Sequence, residues 1–219
     1  MMPFLHLRNY VIPSLGLCLL TCNETMYSSP KEEFEGVITY SVEVNALSGS
    51  LFSMEELAEM YGDTLRIFFK PGKWRMMFNG KDISDSYYFS ESNSECTLRR
   101  GVDTLFVNDC SVSFDKLIRT DSFSTSQKIL NHNCKGFEIE NERNTRVYLY
   151  STDYYMNGDL IRNFVSGNLN RYYSFANAPF LFYEYKGKFF ETKYKAIDIK
   201  PMKLDERIFA FPDLPRSAL

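Results

Sequence analysis

From Gly36 to Val44 the chain alternates with a period of two: Ile38, Tyr40, Val42 and Val44 fall on one face, Thr39, Ser41 and Glu43 on the other. That is the pattern of a half-buried strand. It gives way at Ser53-Met-Glu-Glu56 to a capping box, in which Ser53 accepts from the third helical N–H and Glu56 reaches back. The box predicts a short helix over 54–61, stopped by Gly62, with Leu57 and Tyr61 four apart on a narrow apolar face. Alternation then returns through Leu65, Ile67 and Phe69. Pro71-Gly72 reads as a turn, Trp74, Met76 and Phe78 share the next face, and Asn79-Gly80 signals a hairpin. Further strands are predicted at 87–90, 95–99, 104–108, 135–140, 145–150, 172–175, 180–186 and 188–200, with a second short helix over 159–165 stopped by Gly167. Strands so spaced and joined read as one large antiparallel sheet or open barrel with a few short helices. No internal repeat or low-complexity linker interrupts the stretch 34–219, so one β-rich domain is expected there.

The first 22 residues follow a different rule. His6 and Arg8 precede an apolar run, Val11 to Leu20, and no acid occurs before Glu24. The run is broken by Pro13 and Gly16 and falls short of the roughly 20 apolar residues needed to span a bilayer. This is the profile of an export signal over residues 1–21. Its end, Leu19-Leu20-Thr21-Cys22, resembles a bacterial lipobox, which implies lipid attachment at Cys22 and a membrane anchor. Thr21 stands where lipoboxes usually carry Gly, Ala or Ser, and the alternative is an ordinary signal cut nearby. Residues 22–33 are polar and aperiodic, as expected of a flexible tether.

Removing residues 1–21 from the 219-residue chain takes away Arg8 and leaves 24 basic against 28 acidic residues, a net charge of −4. That mild acidity argues against a nucleic-acid partner. The 16% aromatic content suits strands, or a wide apolar cavity. Of five cysteines, Cys96, Cys110 and Cys134 remain in the expected domain. In an oxidising compartment an odd count suggests one disulfide and one free thiol. Cys96 and Cys110 flank a turn-like Arg100-Gly101, whereas Cys110 and Cys134 enclose a longer polar loop.

Signatures of catalysis and of cofactors are scarce. The expected domain holds a single histidine, His132, between Asn131 and Asn133, which reads as a solvent-exposed loop residue. No multi-histidine metal site, nucleophile elbow, phosphate loop or dinucleotide fingerprint is present in the sequence. No metal and no cofactor is therefore expected. A two-carboxylate glycosidase would need neither, but nothing local pairs Glu55, Glu56, Glu91, Glu138, Glu184 or Glu191. The lysines at 186, 188, 193, 195, 200 and 203 form a mild basic cluster that reads as a solvated face.

Four phrases in order resemble a family of Gram-negative envelope proteins of the GLPGLI type, related to the lipoprotein-carrier (LolA-like) fold. They are Phe34-Glu-Gly-Val-Ile-Thr-Tyr-Ser-Val, Asp103-Thr-Leu-Phe-Val-Asn-Asp-Cys110, Lys128-Ile-Leu-Asn-His-Asn-Cys-Lys135, and the tail Ile199-Lys-Pro-Met-Lys-Leu-Asp-Glu206 with Phe209-Ala-Phe-Pro-Asp213. Asn131 and His132 replace the family's usual Gly-Tyr, and the GLPGLI sequence itself is absent. The resemblance implies a curved antiparallel sheet or open half-barrel, with short helices over its concave face. It also implies a Cys110–Cys134 disulfide and a site for acyl chains in an apolar cavity, for which Phe68, Trp74, Met76, Phe78 and Phe180 are the candidate lining. The expected function is that of a non-enzymatic envelope protein, secreted or lipid-anchored in the periplasm or outer membrane, that binds a lipid or other hydrophobic ligand. An interaction module of a surface complex is the alternative, and a metal-independent hydrolase the third reading.

Overall fold

A computed structural model describes residues 31–218 of the chain. The chain divides into two units, Met1–Lys31 and Glu32–Leu219, and the second carries the fold below. The expected signal, the lipid-attachment candidate Cys22 and most of the expected tether lie outside the described residues. Pairing begins at Glu33, which bridges Tyr155 in parallel, just inside the stretch expected as tether.

In chain order the elements are β1 (Gly36–Ala46), α1 (Met54–Tyr61), β2 (Thr64–Lys70), β3 (Lys73–Phe78), β4 (Ile83–Phe89), β5 (Ser94–Arg99), β6 (Leu105–Asp109), β7 (Leu117–Ile129), β8 (His132–Asn141), β9 (Thr145–Tyr150), α2 (Leu169–Ala176), β10 (Phe180–Lys186), β11 (Phe190–Pro201) and β12 (Arg216–Ala218). The twelve strands form one open sheet in the order β12-β6-β5-β4-β3-β2-β1-β11-β10-β9-β8-β7. Two meanders, β1 to β6 and β7 to β11, are thus joined where β1 pairs antiparallel with β11. The short β12 adds in parallel to β6.

The capping box forms as the sequence requires. Glu56 N–H donates to Ser53 Oγ at 3.2 Å and Ser53 N–H to Glu56 Oε2 at 2.8 Å, with Gly62 as C-cap. Leu57 is the buried residue of α1.

Three expectations are corrected. The strand expected at 172–175 is the helix α2. Tyr172, Tyr173 and Ala176 are its buried side chains, and with Leu169 they fall at helical spacing, so burial on one helical face overrides the strand preference of tyrosine. The helix expected at 159–165 is instead two 3-10 turns, Gly158–Ile161 and Ser166–Asn168. The polar loop expected between Cys110 and Cys134 contains β7, a 13-residue edge strand whose side chains are almost all exposed on both faces. Where neither face is buried, no period of two is written into the sequence. Phe123 of β7 lies opposite Gly136 of β8, and its ring occupies the space a Cβ at 136 would take.

The sheet curls tightly. The rings of Tyr148 and Tyr172 lie 4.2 Å apart, those of Tyr172 and Tyr173 5.0 Å, and those of Tyr173 and Trp74 5.9 Å. These three steps connect β9 to β3, strands that would stand roughly 24 Å apart in a flat sheet at usual spacing. The sheet therefore wraps around α2, and the main core fills the enclosed face. A smaller core on the opposite face of β4–β6, built on Tyr87, Cys96 and Leu105, is covered by Phe211 and Leu214.

The Cys110–Cys134 disulfide does not form; Cys96, Cys110 and Cys134 are all free and buried. Cys110 follows the end of β6 and Cys134 sits in β8, on opposite arms of the sheet. Burial pushes the Cys110 thiol up to about 12 and raises the other two as well, so none is a reactive thiolate.

Candidate functional site

The enclosed face is not completely filled. A cavity of about 260 Å³ opens between the two arms of the sheet. One wall comes from alternate positions on β2 and β3: Leu65 and Ile67, then Trp74, Met76 and Phe78. The other comes from a cross-strand ladder in which Tyr194 of β11 pairs with Tyr183 of β10, and Tyr183 with Tyr148 of β9, joined by Phe180. Ring centroids along this ladder are 5.6 Å and 5.0 Å apart. Phe164, Ser166 and Leu169, from the 3-10 segment and the start of α2, close the top.

Of the five expected lining residues, the structure brings Trp74, Met76, Phe78 and Phe180 together on this cavity. Phe68 is not among them. It pairs with Val37 and Arg75, and the strand period sends it to the face opposite its buried neighbours Ile67 and Phe69. Sequence reasoning missed Leu65, Ile67, Glu95, Arg146, Tyr148, Tyr183 and Tyr194 on the strands, and Phe164, Ser166 and Leu169 beside α2. The strand positions depend on cross-strand register between segments distant in the chain; parity within each strand was the one available signal.

Polar side chains punctuate the lining, among them Arg146, Glu95 and Ser166. Arg146 donates from Nη2 to Asp115 Oδ2 at 2.8 Å and from Nε to Asn144 Oδ1 at 3.1 Å. Its guanidinium lies against Gly167, whose left-handed backbone leaves room for it. Glu95 lines the cavity and accepts from Ser86 Oγ at 2.8 Å. Burial raises the Glu95 carboxyl above the ordinary glutamate value, with the Ser86 bond opposing. Trp74 and Tyr148 are each 1% exposed. The Trp74 Nε1–H is buried with no hydrogen-bond partner among the described residues, and the Tyr148 hydroxyl is buried beside the Arg146 guanidinium. Burial lifts the Tyr148 phenol well above its ordinary value, Tyr183 adds to this, and the nearby Arg146 charge only partly offsets it.

Outside the cavity, His132 is not a free loop residue. It opens β8, with Nδ1 2.6 Å from Asp153 Oδ2 and Nε2 3.0 Å from the Tyr154 hydroxyl. These contacts pin the start of β8 to the segment after β9.

None of the carboxylates weighed for catalysis lines the cavity. Glu56 caps α1, Glu138 meets Arg119 at 3.2 Å, and Glu184 and Glu191 flank Lys193 at 3.3 and 3.4 Å. Glu95 is the one acid on the cavity lining. The arrangement suits holding a mostly apolar ligand by a few polar contacts.

No family model matches the chain, and no curated protein matches it. Among solved structures it is similar to PNGF-II in two crystal forms. In the P21 form the TM-score is 0.46 at 10% identity, covering 84% of this chain and 32% of that one. In the C2 form the values are 0.47, 10%, 84% and 31%. The chain thus spans about a third of that protein's length, and a likeness this distant carries no argument about activity.

Proposed function

We propose that this protein binds a small amphipathic ligand in the cavity between the two arms of its sheet and performs no chemistry on it. The observation that supports this most is the cavity itself: a space of about 260 Å³, walled mainly by Leu, Ile, Met, Phe, Trp and Tyr, left open where the surrounding core is filled. Ligand pockets generally begin at about 300 Å³, and a dry cavity of about 150 Å³ holds benzene. The space here suits a single medium-length chain or one ring system, and is too small for a whole two-chain lipid. In this reading the curled sheet serves as a LolA-like half-barrel, and Cys22 carries a lipid that tethers the binding domain to the envelope. No helix among the described residues is long and apolar enough to cross a membrane.

The chain has a single tryptophan, and it lines the cavity. Native mass spectrometry of detergent-free protein, followed by organic extraction, tests the proposal alongside Trp74 fluorescence. Copurified apolar species, or a saturable change in Trp74 emission on adding medium-chain amphiphiles, are expected. An empty protein whose emission ignores every such compound refutes the proposal.

A second reading, an interaction module, draws on the loop before α1 and the β10–β11 turn, where Leu51, Phe52, Met54 and Phe189 stand exposed. Loss of partner capture on changing these residues, with the cavity intact, would favour it.

A further inference from the structure

Resting on the cavity reading above, we infer that the ligand is a cationic amphiphile, an amine on a short apolar body, whose ammonium group pairs with the Glu95 carboxylate.

Strand register places Glu95 on the cavity side of β5. It stands opposite Tyr88 of β4, and Tyr88 stands opposite Trp74 of β3, the two rings stacking at 4.2 Å. The next residue, Cys96, points the other way, into the smaller core with Tyr87 and Leu105. Glu95 is half-buried and lines the cavity, so a guest in that space can reach it. Its carboxyl accepts one hydrogen bond, from Ser86 Oγ to Oε1, and no basic side chain among the described residues pairs with it.

That makes Glu95 unusual within its own domain. Other half-buried acids have a cation at hand: Asp85 meets Arg75 at 2.7 Å, Asp115 meets Arg146 at 2.8 Å, and Glu35 meets Lys70 and Lys203 at 3.6 and 3.3 Å. A carboxylate drawn out of water without such a partner is costly. The one basic residue on the cavity lining, Arg146, is on the opposite arm and already held by Asp115. That pair adds no net charge, and Glu95 is left as the uncompensated group. Of the simple headgroups, an ammonium supplies what this carboxyl lacks, while the surrounding Leu, Ile, Met and aromatic side chains take the apolar body. Burial raises the Glu95 carboxyl above the ordinary glutamate value. A bound ammonium would draw it back down, so amine binding and Glu95 ionisation are linked.

The test titrates the full chain with three nine-carbon probes, nonylammonium, 1-nonanol and nonanoate, by calorimetry and Trp74 emission between pH 7.5 and pH 4.5. At pH 7.5 the ammonium probe should bind roughly 10- to 150-fold more tightly than nonanol, the worth of a charged hydrogen bond. Glu95→Gln keeps the shape and removes the charge. It should abolish that advantage and leave nonanol binding unchanged. As the pH falls, Glu95 takes up its proton, and the ammonium advantage of the wild type should shrink; this readout stands even if the variant does not fold. An ammonium advantage that survives Glu95→Gln or does not shrink with acid, equal binding of all three probes, or a preference for nonanoate overturns the inference while the cavity reading stands. Failure of all three probes to bind removes both.

Discussion

Replacing Gly167 by alanine should be among the most damaging single changes in the domain, through two separable causes. Gly167 has φ 58° and ψ 17°, left-handed backbone that costs an alanine roughly 1–2 kcal/mol. Its added Cβ would also overlap the guanidinium of Arg146. Displacing that group breaks the charged hydrogen bond to Asp115 and the bond to Asn144, worth about 1.5–3 kcal/mol in total. The combined loss is about 2.5–5 kcal/mol, or on the order of 10 °C in midpoint for a domain of this size. Urea denaturation of Gly167→Ala, Arg146→Met and the double variant separates the causes. If Arg146 is displaced, Gly167→Ala should cost only its backbone share in the Arg146→Met background, leaving a coupling of about 1.5–3 kcal/mol. Additivity within about 0.5 kcal/mol would refute the packing of this guanidinium against Gly167.

Other outcomes follow from the same geometry. Ser53→Ala should lower stability by about 1 kcal/mol, because it removes the hydroxyl half of the α1 capping box; thermal denaturation reads this as a shift of about 2–4 °C. Glu95, whose folded pKa is raised by burial, contributes stability that is complete below 4.5 and is lost as pH rises through the folded value. Glu95→Gln should therefore flatten the stability profile above pH 4.5 and become relatively more stable toward alkaline pH. Urea midpoints that run parallel for the two proteins across that range would contradict it. In a background with Cys18→Ser and Cys22→Ser, a thiol reagent should count three free cysteines in denaturant without reductant, and close to none in the native protein. One thiol in denaturant would restore the disulfide.

How much was legible depends on what each element is packed against. α1 could be read to the residue because its signal is local: a capping box, one buried leucine and a terminal glycine. β1 and β2 were readable because one face of each is buried and the other is not. β7 was invisible because an edge strand exposed on both sides has nothing to alternate. In α2 two adjacent tyrosines concealed a helical spacing that Leu169 and Ala176 complete. The site was legible on the β3 wall, where Trp74, Met76 and Phe78 share one face of one short strand. The Tyr194–Tyr183–Tyr148 wall was not, since it exists only once three strands drawn from residues 145 to 201 lie in register. Phe68 was misplaced by ranking it on aromatic character when the parity of its own strand excluded it.

The pairing of β1 with β11 has a kinetic consequence. The two strands at the middle of the sheet come from far apart in the chain, with Gly36 facing Pro201 and Ala46 facing Phe190. Each meander can zip from its own neighbouring hairpins, but the seam between them must wait until residue 190 has arrived. Closing so long a loop is slow, and until it closes both halves offer the bare edge of a strand. A chain delivered N-terminus first would therefore hold β1 unpaired on one side for most of its emergence. Its native state becomes secure only in the last step, when the final long strand is laid in.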